Sequence, residues 1–147
     1  MHKFNIKKLE KLDNPQRRQS MPPEETLKKF NINNTGTLLD VGCGIGYFTI
    51  PAANILEHGK VIGLDIMSEM IDIARKKAIN MSNIEFKKSE EYSFPISDDS
   101  IDYVFICNVI HEIVDKPKYF NEIKRVLKTG GFLWDRKSTR LNSSHPL

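Results

Sequence analysis

An acidic residue and three alternating glycines follow one apolar stretch of the chain and form its most informative pattern. Asp40 ends the apolar run, and Gly42, Gly44 and Gly46 come after it at every second position. Glycine lacks a Cβ, so it accepts positive φ angles and lets a bound molecule approach the backbone closely. The free N–H groups at the start of the apolar helix that follows favour a negative group nearby. The pattern predicts a strand, a tight loop and a helix that bind a ligand carrying both charges, as an amino acid does.

A second acidic residue, Asp65, closes the next apolar run, 19 residues after Gly46. In nucleotide-binding folds a carboxylate at this place accepts hydrogen bonds from the ribose hydroxyls. A dinucleotide-binding loop would instead read G-x-G-x-x-G. An acid at position 40 would repel a pyrophosphate, whereas it suits an ammonium or a sulfonium. The two acids together indicate a nucleoside joined to an amino acid, and S-adenosylmethionine is such a molecule.

Strand and helix patterns alternate along the chain around these residues. An alternation of this kind predicts an α/β fold, a Rossmann-like doubly wound and mostly parallel sheet with right-handed crossovers. Its ligand site should lie beyond the carboxyl ends of the strands. Ser68, rather than Asp65, is expected to cap the helix that follows the second strand. Strands are predicted at 37–41, 60–65, 83–88, 101–107 and 132–134, and helices at 22–30, 47–56, 68–81 and 115–128.

Four segments, at residues 39–46, 61–70, 95–102 and 125–131, resemble class I S-adenosylmethionine-dependent methyltransferases. The resemblance is close to the group that includes ubiquinone/menaquinone-biosynthesis methyltransferases, and it covers roughly residues 24–134. It implies a sheet with the strand order 3-2-1-4-5 that lacks the usual last two strands. It also implies an enzyme of class EC 2.1.1.- that transfers a methyl group to a small-molecule acceptor.

The resemblance further implies that the residues following the strands bind the cosubstrate. The glycine loop would pack under the methionine part, with Asp40 beside the amino group, and Asp65 would hold the ribose hydroxyls. Glu90 falls at the place of the family's adenine-binding aspartate, so the longer glutamate is a departure from the pattern. The implied cosubstrate-binding residues are Asp40, Gly42, Cys43, Gly44, Gly46, Asp65, Ile66, Met67, Glu90, Glu91 and Cys107.

Two residues after the fourth predicted strand, Asn108 and His111, are the candidates for a catalytic role. The sulfonium already carries a good leaving group, so the protein mainly has to position and desolvate the reactants. A base is needed only if the acceptor keeps its proton, and His111 is alternatively a hydrogen-bonded pocket residue. We therefore assign no catalytic residue at this stage.

Simpler roles and other functions remain open alternatives. Asp40 would satisfy loop amides, and Glu90 with Glu91 would form a solvated pair. A metal site on Cys43 and Cys107 would need further soft ligands, so no metal is expected. For the whole chain, the alternatives are a non-catalytic nucleotide-binding module or partner subunit, or a nicotinamide-dependent oxidoreductase.

Composition narrows the range of partners. The chain has 147 residues, a net charge of +3 and ordinary contents of apolar (39%) and charged (28%) residues, as expected for one globular domain. Without a basic run or an apolar run of about 20 residues, neither a nucleic acid nor a membrane span is expected. Two cysteines form no disulfide framework, so the cytoplasm is the expected location. The oligomeric state is not predicted.

Three segments are predicted along the chain. Residues 1–21 form an N-terminal flank, in which Arg17 and Arg18 are solvated, close over the cosubstrate or bind an acidic substrate. Residues 22–134 form the incomplete cosubstrate-binding domain. Residues 135–147 lack apolar periodicity and resemble a translated sequencing-library adapter, the alternative being a natural polar tail. We expect an uncovered edge on the fifth strand, and hence poor stability and weak activity.

Overall fold

The computed structural model describes residues 6–32, 34–106, 113–135 and 144–146. These residues form one sheet flanked by helices. The helices are α1 (Ile6–Leu12), α2 (Pro15–Ser20), α3 (Pro23–Lys28), α4 (Thr49–Ile55), α5 (Ser68–Lys77) and α6 (Lys116–Val126). The strands are β1 (Thr37–Val41), β2 (Lys60–Asp65), β3 (Ile84–Lys88), β4 (Ile101–Ile106), β5 (Leu127–Asp135) and β6 (Ser144–Pro146).

The sheet has the order β3-β2-β1-β4-β5-β6. The first five strands in this order pair in parallel, so the predicted doubly wound fold and its 3-2-1-4-5 order are confirmed. β1 is central, and Asp40 is in register with Gly63 of β2 and with Phe105 of β4. The carboxyl end of β1 therefore lies between two neighbouring strand ends, at the point where the chain changes direction across the sheet.

Apolar side chains cover both faces of the sheet. Leu39 and Val41 of β1 pack on the face that carries α6, in a cluster with Tyr119 and Ile123. Leu38 points to the opposite face, where α3 and α4 pack. Because successive side chains of a strand alternate between faces, β1 contributes to both layers of the core. Burial on both sides explains why β1, β2 and β4 are mostly apolar, whereas β3, at the edge of the sheet, carries charged residues.

The last parallel strand differs from the sequence expectation. A helix is predicted to reach Lys128 and a short strand to begin at Phe132, but α6 ends at Val126 and β5 begins at Leu127. Gly130 has a φ of +83° inside this strand, and the register against β4 shifts between Ile101 and Tyr103. The glycine pair thus accommodates an irregularity within β5 instead of ending a turn before it.

The edge of β5 is partly covered. Ser144–Pro146 pairs antiparallel with Phe132–Trp134, so the expectation of an uncovered edge is wrong over these three residues. The pairing satisfies backbone groups that an open edge would expose. The origin of the tail stays a prediction.

The N-terminal flank contains two short helices. Asn14 separates them, and its side-chain oxygen accepts a hydrogen bond from the backbone N–H of Arg17 at 2.8 Å. Pro15 stands at the first position of α2, where no N–H is required. Across the described ranges, no helix is long and apolar enough to cross a membrane.

Candidate functional site

The glycine loop connects β1 to α4 and is held by the neighbouring strand. The N–H groups of Gly42 and Cys43 both donate to the carbonyl of Leu64, each at 2.8 Å. Gly42 and Gly44 have φ angles of +77° and +56°, which side-chain-bearing residues rarely adopt. The loop backbone is therefore fixed before any ligand binds.

Gly46 has a different role from the other two loop glycines. Its φ is +93°, and a Cβ built on it would lie 3.1 Å from Cδ1 of Ile50. Gly46 is not among the residues that line the cavity at the strand ends, and its contact with the cosubstrate stays a prediction. This glycine allows the chain to turn closely against Ile50 and Phe86.

The carboxylate of Asp65 joins two backbone segments. Oδ2 accepts a hydrogen bond from the N–H of Gly44 at 2.9 Å, and Oδ1 accepts one from the N–H of Met67 at 3.0 Å. Burial raises the pKa of Asp65, and these N–H donors oppose that rise. Each carboxylate oxygen has a second lone pair, so the group remains able to accept hydrogen bonds from two ligand hydroxyls.

The start of α5 corrects a second sequence prediction. Ser68 is not the cap, because the helix begins with Ser68 and its preceding residue, Met67, makes no side-chain cap bond. Asp65 instead takes the N–H of Met67. The side chain of Asp65 thus connects the residue before α5 with the glycine loop.

Asp40 is the buried acid of the site. Its side chain is 3% exposed, and Oδ2 accepts a hydrogen bond from Oγ1 of Thr49 at 2.7 Å. Burial raises the pKa of Asp40 to about 7, against the effect of the Thr49 bond, and the charge of Asp65 raises it further. The positive charge of Arg17 lowers it. Asp40 is thus poised between its neutral and charged forms near neutral pH.

A cavity of about 490 Å³ opens at the carboxyl ends of β1, β2 and β3. It brings together nine of the residues predicted to bind the cosubstrate, and residues from the flank and from α6 complete its wall. The predicted residues at the wall are Asp40, Gly42, Cys43, Gly44, Asp65, Ile66, Met67, Glu90 and Glu91. The additional residues include Lys11, Leu12, Arg17, Tyr47, Phe48, Met70, Ser89, Phe94, Ile113 and Tyr119.

The N-terminal flank covers the glycine loop. A Cβ built on Gly44 would lie 3.9 Å from both methyl carbons of Leu12. The guanidinium carbon of Arg17 lies 4.0 Å from the centroid of the Tyr47 ring, a cation–π contact, and Nη1 donates to the carbonyl of Leu12. Arg18 is exposed and paired with Asp13 at 2.7 Å. Of the two arginines, Arg17 therefore lies at the cavity and Arg18 is solvated.

The adenine-side residues form the rim of the cavity. Ile66 is 57% exposed, so its apolar side chain lies open at the rim. Glu90 is exposed, with Oε1 3.8 Å from Nζ of Lys88, and Glu91 is half-buried. Both glutamates line the cavity, and their contact with adenine stays a prediction.

Several predicted residues lie outside the described part of the chain. These are Cys107 and both catalytic candidates, Asn108 and His111. Cys43 is described, and burial raises the pKa of its thiol far above the ordinary value. The residues that the structure describes contain no group of three or more His, Cys, Asp or Glu side chains arranged to hold a metal ion.

Sequence reasoning missed Thr49 and Tyr119 as site residues. Thr49 is the first residue of α4, and nothing in its local spacing points to Asp40. Tyr119 is predicted from helical periodicity as an ordinary core residue, and it is buried as expected. Its position on the cavity wall depends on how α6 packs across the sheet, for which a single sequence carries no signal.

The fold and the site together define a doubly wound α/β protein with a preformed ligand cavity at the switch point of its sheet. The sequence profile of the family described as "Methyltransferase domain" matches residues 32–140. The chain therefore belongs to this methyltransferase domain family, which confirms the family predicted from the sequence motifs.

Individual relatives agree with this assignment. Demethylmenaquinone methyltransferase from Staphylococcus saprophyticus is 31% identical over 111 residues, which are 75% of this chain and 48% of the relative. The chain thus spans about half the length of the curated relatives it matches. A SAM-dependent methyltransferase from Aquifex aeolicus superposes with a TM-score of 0.82 at 35% identity, over 90% of this chain and 72% of that one. Phosphoethanolamine N-methyltransferase 2 from Haemonchus contortus, solved with S-adenosylhomocysteine, gives a TM-score of 0.71 at 29% identity, over 78% of this chain and 27% of that one.

Proposed function

We propose that this chain is the cosubstrate-binding part of an S-adenosylmethionine-dependent methyltransferase acting on a small-molecule acceptor. One observation carries the proposal: Asp65, the glycine loop and the buried Asp40 meet in a single cavity at the carboxyl end of the central strand. Relatives named as methyltransferases support the same activity. When bound, the cosubstrate supplies the methyl group that its sulfonium sulfur carries. The rest of the cosubstrate is then a neutral thioether, which is the leaving group.

The donors and acceptors of the cavity fit the nucleoside part of this cosubstrate. The carboxylate of Asp65 accepts hydrogen bonds from the two ribose hydroxyls. It uses the oxygen lone pairs that the N–H groups of Gly44 and Met67 leave free. Exposed Ile66 packs on the adenine ring, and Glu90 or Glu91 accepts a hydrogen bond from its amino group. Each of these contacts uses a residue that already lines the cavity.

The charges fit the amino-acid part. Arg17 and Lys11 line the cavity from the flank and attract the carboxylate. Asp40 attracts the ammonium group, and that positive charge favours the ionised form of Asp40. Gly42, Cys43 and Gly44 approach the methionine chain through their backbone. Leu12 covers Gly44 and excludes water from this end.

The acceptor would bind on the α6 side of the cavity, where fewer polar side chains line the wall. Phe94, Ile113 and Tyr119 give it an apolar wall, which desolvates the reacting groups. Asn108 and His111 remain the candidates for contact with the acceptor. We further propose a cytoplasmic location, no nucleic acid partner and a domain spanning residues 22–134, as the sequence predicts.

Isothermal titration calorimetry with S-adenosylmethionine tests the proposal. We expect micromolar binding by the parent chain and a loss of at least tenfold in Asp65→Ala and in the closer mimic Asp65→Asn, about 1.4 kcal/mol or more. Asp72→Ala is the matched control, because Asp72 is an exposed carboxylate on α5. Binding of NAD instead of S-adenosylmethionine, or equal affinity in the Asp65 variants, contradicts the proposal.

A further inference from the structure

The hydroxyl group of Thr49 is bonded to the carboxylate of Asp40. Oγ1 of Thr49 donates to Oδ2 of Asp40 at 2.7 Å, and both side chains are buried, that of Thr49 completely. In the part of the chain that the structure describes, no other residue donates a hydrogen bond to this carboxylate. A buried carboxylate needs such a donor, because burial by itself favours its neutral form. Thr49 therefore affects both the orientation and the charge of Asp40.

The hydrogen bond of Thr49 does not serve the helix that this residue begins. A threonine at the start of a helix commonly uses its hydroxyl on a nearby backbone group. α4 begins at Thr49, and the preceding residue, Phe48, makes no side-chain cap bond. The Thr49 hydroxyl instead reaches from α4 to Asp40 on β1. Its direction is thus explained by Asp40 and not by capping of α4.

Asp40 lines the ligand cavity, whereas Thr49 does not. Thr49 is fully buried behind Asp40, so any effect of its hydroxyl on a ligand passes through this carboxylate. Attraction between a carboxylate and a cation acts through space, and it is stronger in a poorly solvated site than in water. Asp40 can therefore attract a cation in the cavity although little of its own surface is exposed.

Charged groups from three other elements face Asp40 or its cavity. The carboxylate of Asp65, at the end of β2, raises the pKa of Asp40, and the guanidinium of Arg17, on α2, lowers it. Lys11 of α1 lines the same cavity. None of the ion pairs between described residues includes Asp40. An ammonium group of a ligand can thus become the first ion-pair partner of Asp40.

Two further titratable groups near Asp40 carry no charge at neutral pH. They are the thiol of Cys43 and the phenol of Tyr119 on α6, and burial raises the pKa of both. The pKa of Asp40 itself is about 7, and the hydrogen bond from Thr49 lowers it. Removal of the Thr49 hydroxyl therefore leaves a larger fraction of Asp40 neutral at the same pH.

We propose that Thr49 is a positioning residue whose hydroxyl holds the carboxylate of Asp40 ionised and in place for the ammonium group of the cosubstrate. The proposal rests on the proposed function, since it concerns the amino-acid end of the same cavity. Thr49 does not touch the cosubstrate and takes no part in bond making or proton transfer. The affinity for the amino-acid part thus depends on a hydroxyl group outside the cavity.

Two ligands that differ in their amino-acid part test the proposal. S-Adenosylhomocysteine carries the ammonium group, and methylthioadenosine has the same adenine, ribose and thioether without it. Calorimetric titrations at about pH 6.5, with competition titrations for the weaker ligand, compare the 147-residue chain with its Thr49 variants. Thr49→Val should bind S-adenosylhomocysteine about tenfold more weakly and methylthioadenosine unchanged. Thr49→Ser keeps the hydroxyl and should restore the affinity to within about threefold of the parent chain.

The pH dependence separates this role from a merely structural one. Asp40 should ionise at a higher pH in Thr49→Val than in the parent chain. The loss of affinity should therefore be largest below about pH 7 and decrease toward about pH 9, where both chains hold an ionised Asp40. Titration of the ligand amine is common to all chains and cancels in the comparison. When Asp40→Asn is already present, Thr49→Val should change the affinity by less than about twofold.

Thr26→Val is the matched control, because Thr26 makes a similar hydrogen bond away from the cavity. Thr26 is buried, its Oγ1 donates to the carbonyl of Pro22 at 2.7 Å, and it does not line the cavity. This variant should bind both ligands as the parent chain does at each pH. Thr49→Ala removes the same hydroxyl as Thr49→Val and should give the same selective loss, so the test does not depend on one variant. Unchanged binding of methylthioadenosine shows that each variant folds.

Several results overturn the proposal while the proposed function stands. They are unchanged binding of S-adenosylhomocysteine by Thr49→Val and Thr49→Ala, equal losses for both ligands, and a loss that neither varies with pH nor disappears with Asp40→Asn. Equal losses would mean that Thr49 only supports the fold of the loop. A parent chain that binds both ligands equally tightly overturns the proposal as well. A parent chain that binds neither ligand contradicts the proposed function, and the role of Thr49 falls with it.

Discussion

The two sides of the cavity are built in different ways. On the glycine-loop side, Asp40, Asp65 and the loop amides have partners within the protein. On the α6 side, the wall is apolar, and the phenol of Tyr119 has no partner among the described residues. The first side is fixed by hydrogen bonds, and the second is closed by apolar and aromatic side chains. Under the proposed function, the first side binds the cosubstrate and the second contacts the acceptor.

The largest expected effect concerns the pH dependence of stability on the glycine-loop side. Burial raises the pKa of Asp40 from 3.8 to about 7, so the folded chain holds this proton more tightly than the unfolded chain. The stabilisation is complete below about pH 3.8 and is lost as the pH rises through about 7. The contribution is on the order of 4 kcal/mol at most.

Chemical denaturation of the parent chain and of Asp40→Asn across this pH range measures the effect. The difference in unfolding free energy between the two chains should change steadily between about pH 4 and pH 8. Asp65 has a raised pKa as well, but it is present in both chains and cancels in the difference. If the difference in unfolding free energy does not depend on pH, the pKa of Asp40 is the same in the folded and unfolded chains. The glycine-loop side would then not differ from the α6 side in holding a carboxyl group with a raised pKa.

The second effect concerns the packing behind the glycine loop. A Cβ on Gly63 would lie 2.7 Å from Cδ1 of Phe86 and 3.0 Å from Sγ of Cys43. We expect Gly63→Ala to lower the free energy of unfolding by about 2 kcal/mol through overpacking. Displacement of Cys43 should also weaken S-adenosylmethionine binding, as measured by calorimetry.

Gly130→Ala is the control for a glycine that does not line the cavity. Gly130 has a φ of +83°, but a Cβ there would meet nothing within 4 Å. The substitution should cost about 1 kcal/mol from backbone strain alone and leave cosubstrate binding unchanged. Equal effects of the two substitutions on binding would contradict a rigid loop that depends on close packing.

The smallest effect compares one aromatic residue from each side. Phe48 and Phe94 are both 4% exposed and both line the cavity. Phe48→Leu and Phe94→Leu should each cost about 1 kcal/mol of unfolding free energy. Calorimetry should show weaker S-adenosylmethionine binding for Phe48→Leu and unchanged binding for Phe94→Leu. If both variants bind it equally weakly, the cavity has no separate acceptor side.

The sequence predicts those features that depend on short stretches of chain. Asp40 and the glycines at 42 and 44 form a local strand-and-loop pattern, and Asp65 follows from its place at the end of the next apolar run. The parallel strand order follows from the alternation of strands and helices, together with the family resemblance. The fold prediction is confirmed because each strand and helix is a continuous stretch of chain, whereas the cosubstrate contacts of these residues stay predictions.

Features that depend on contacts across space are missed. The partner of Asp65 Oδ2 is the N–H of Gly44, 21 positions earlier, and no local pattern indicates this contact. The predicted cap at Ser68 is wrong because α5 already begins at that residue. Leu12 meets Gly44 only because the flank folds back over the loop. Tyr119 has the periodicity of any core residue, and its position at the cavity wall depends on how α6 packs. Gly46 matches the motif, and the closeness of Ile50 to its backbone also could not be predicted from the motif.

The double use of Asp65 restricts how this protein can change by mutation. The same two oxygens hold the loop at Gly44, hold the turn at Met67 and are offered to the ligand. Under the proposed function, a substitution there therefore affects the loop and ligand recognition together. On the α6 side, the hydroxyl of Tyr119 makes no hydrogen bond with the described residues, so only the ring of this buried side chain is required for packing. Substitutions on the two sides of the cavity thus have different consequences for the protein.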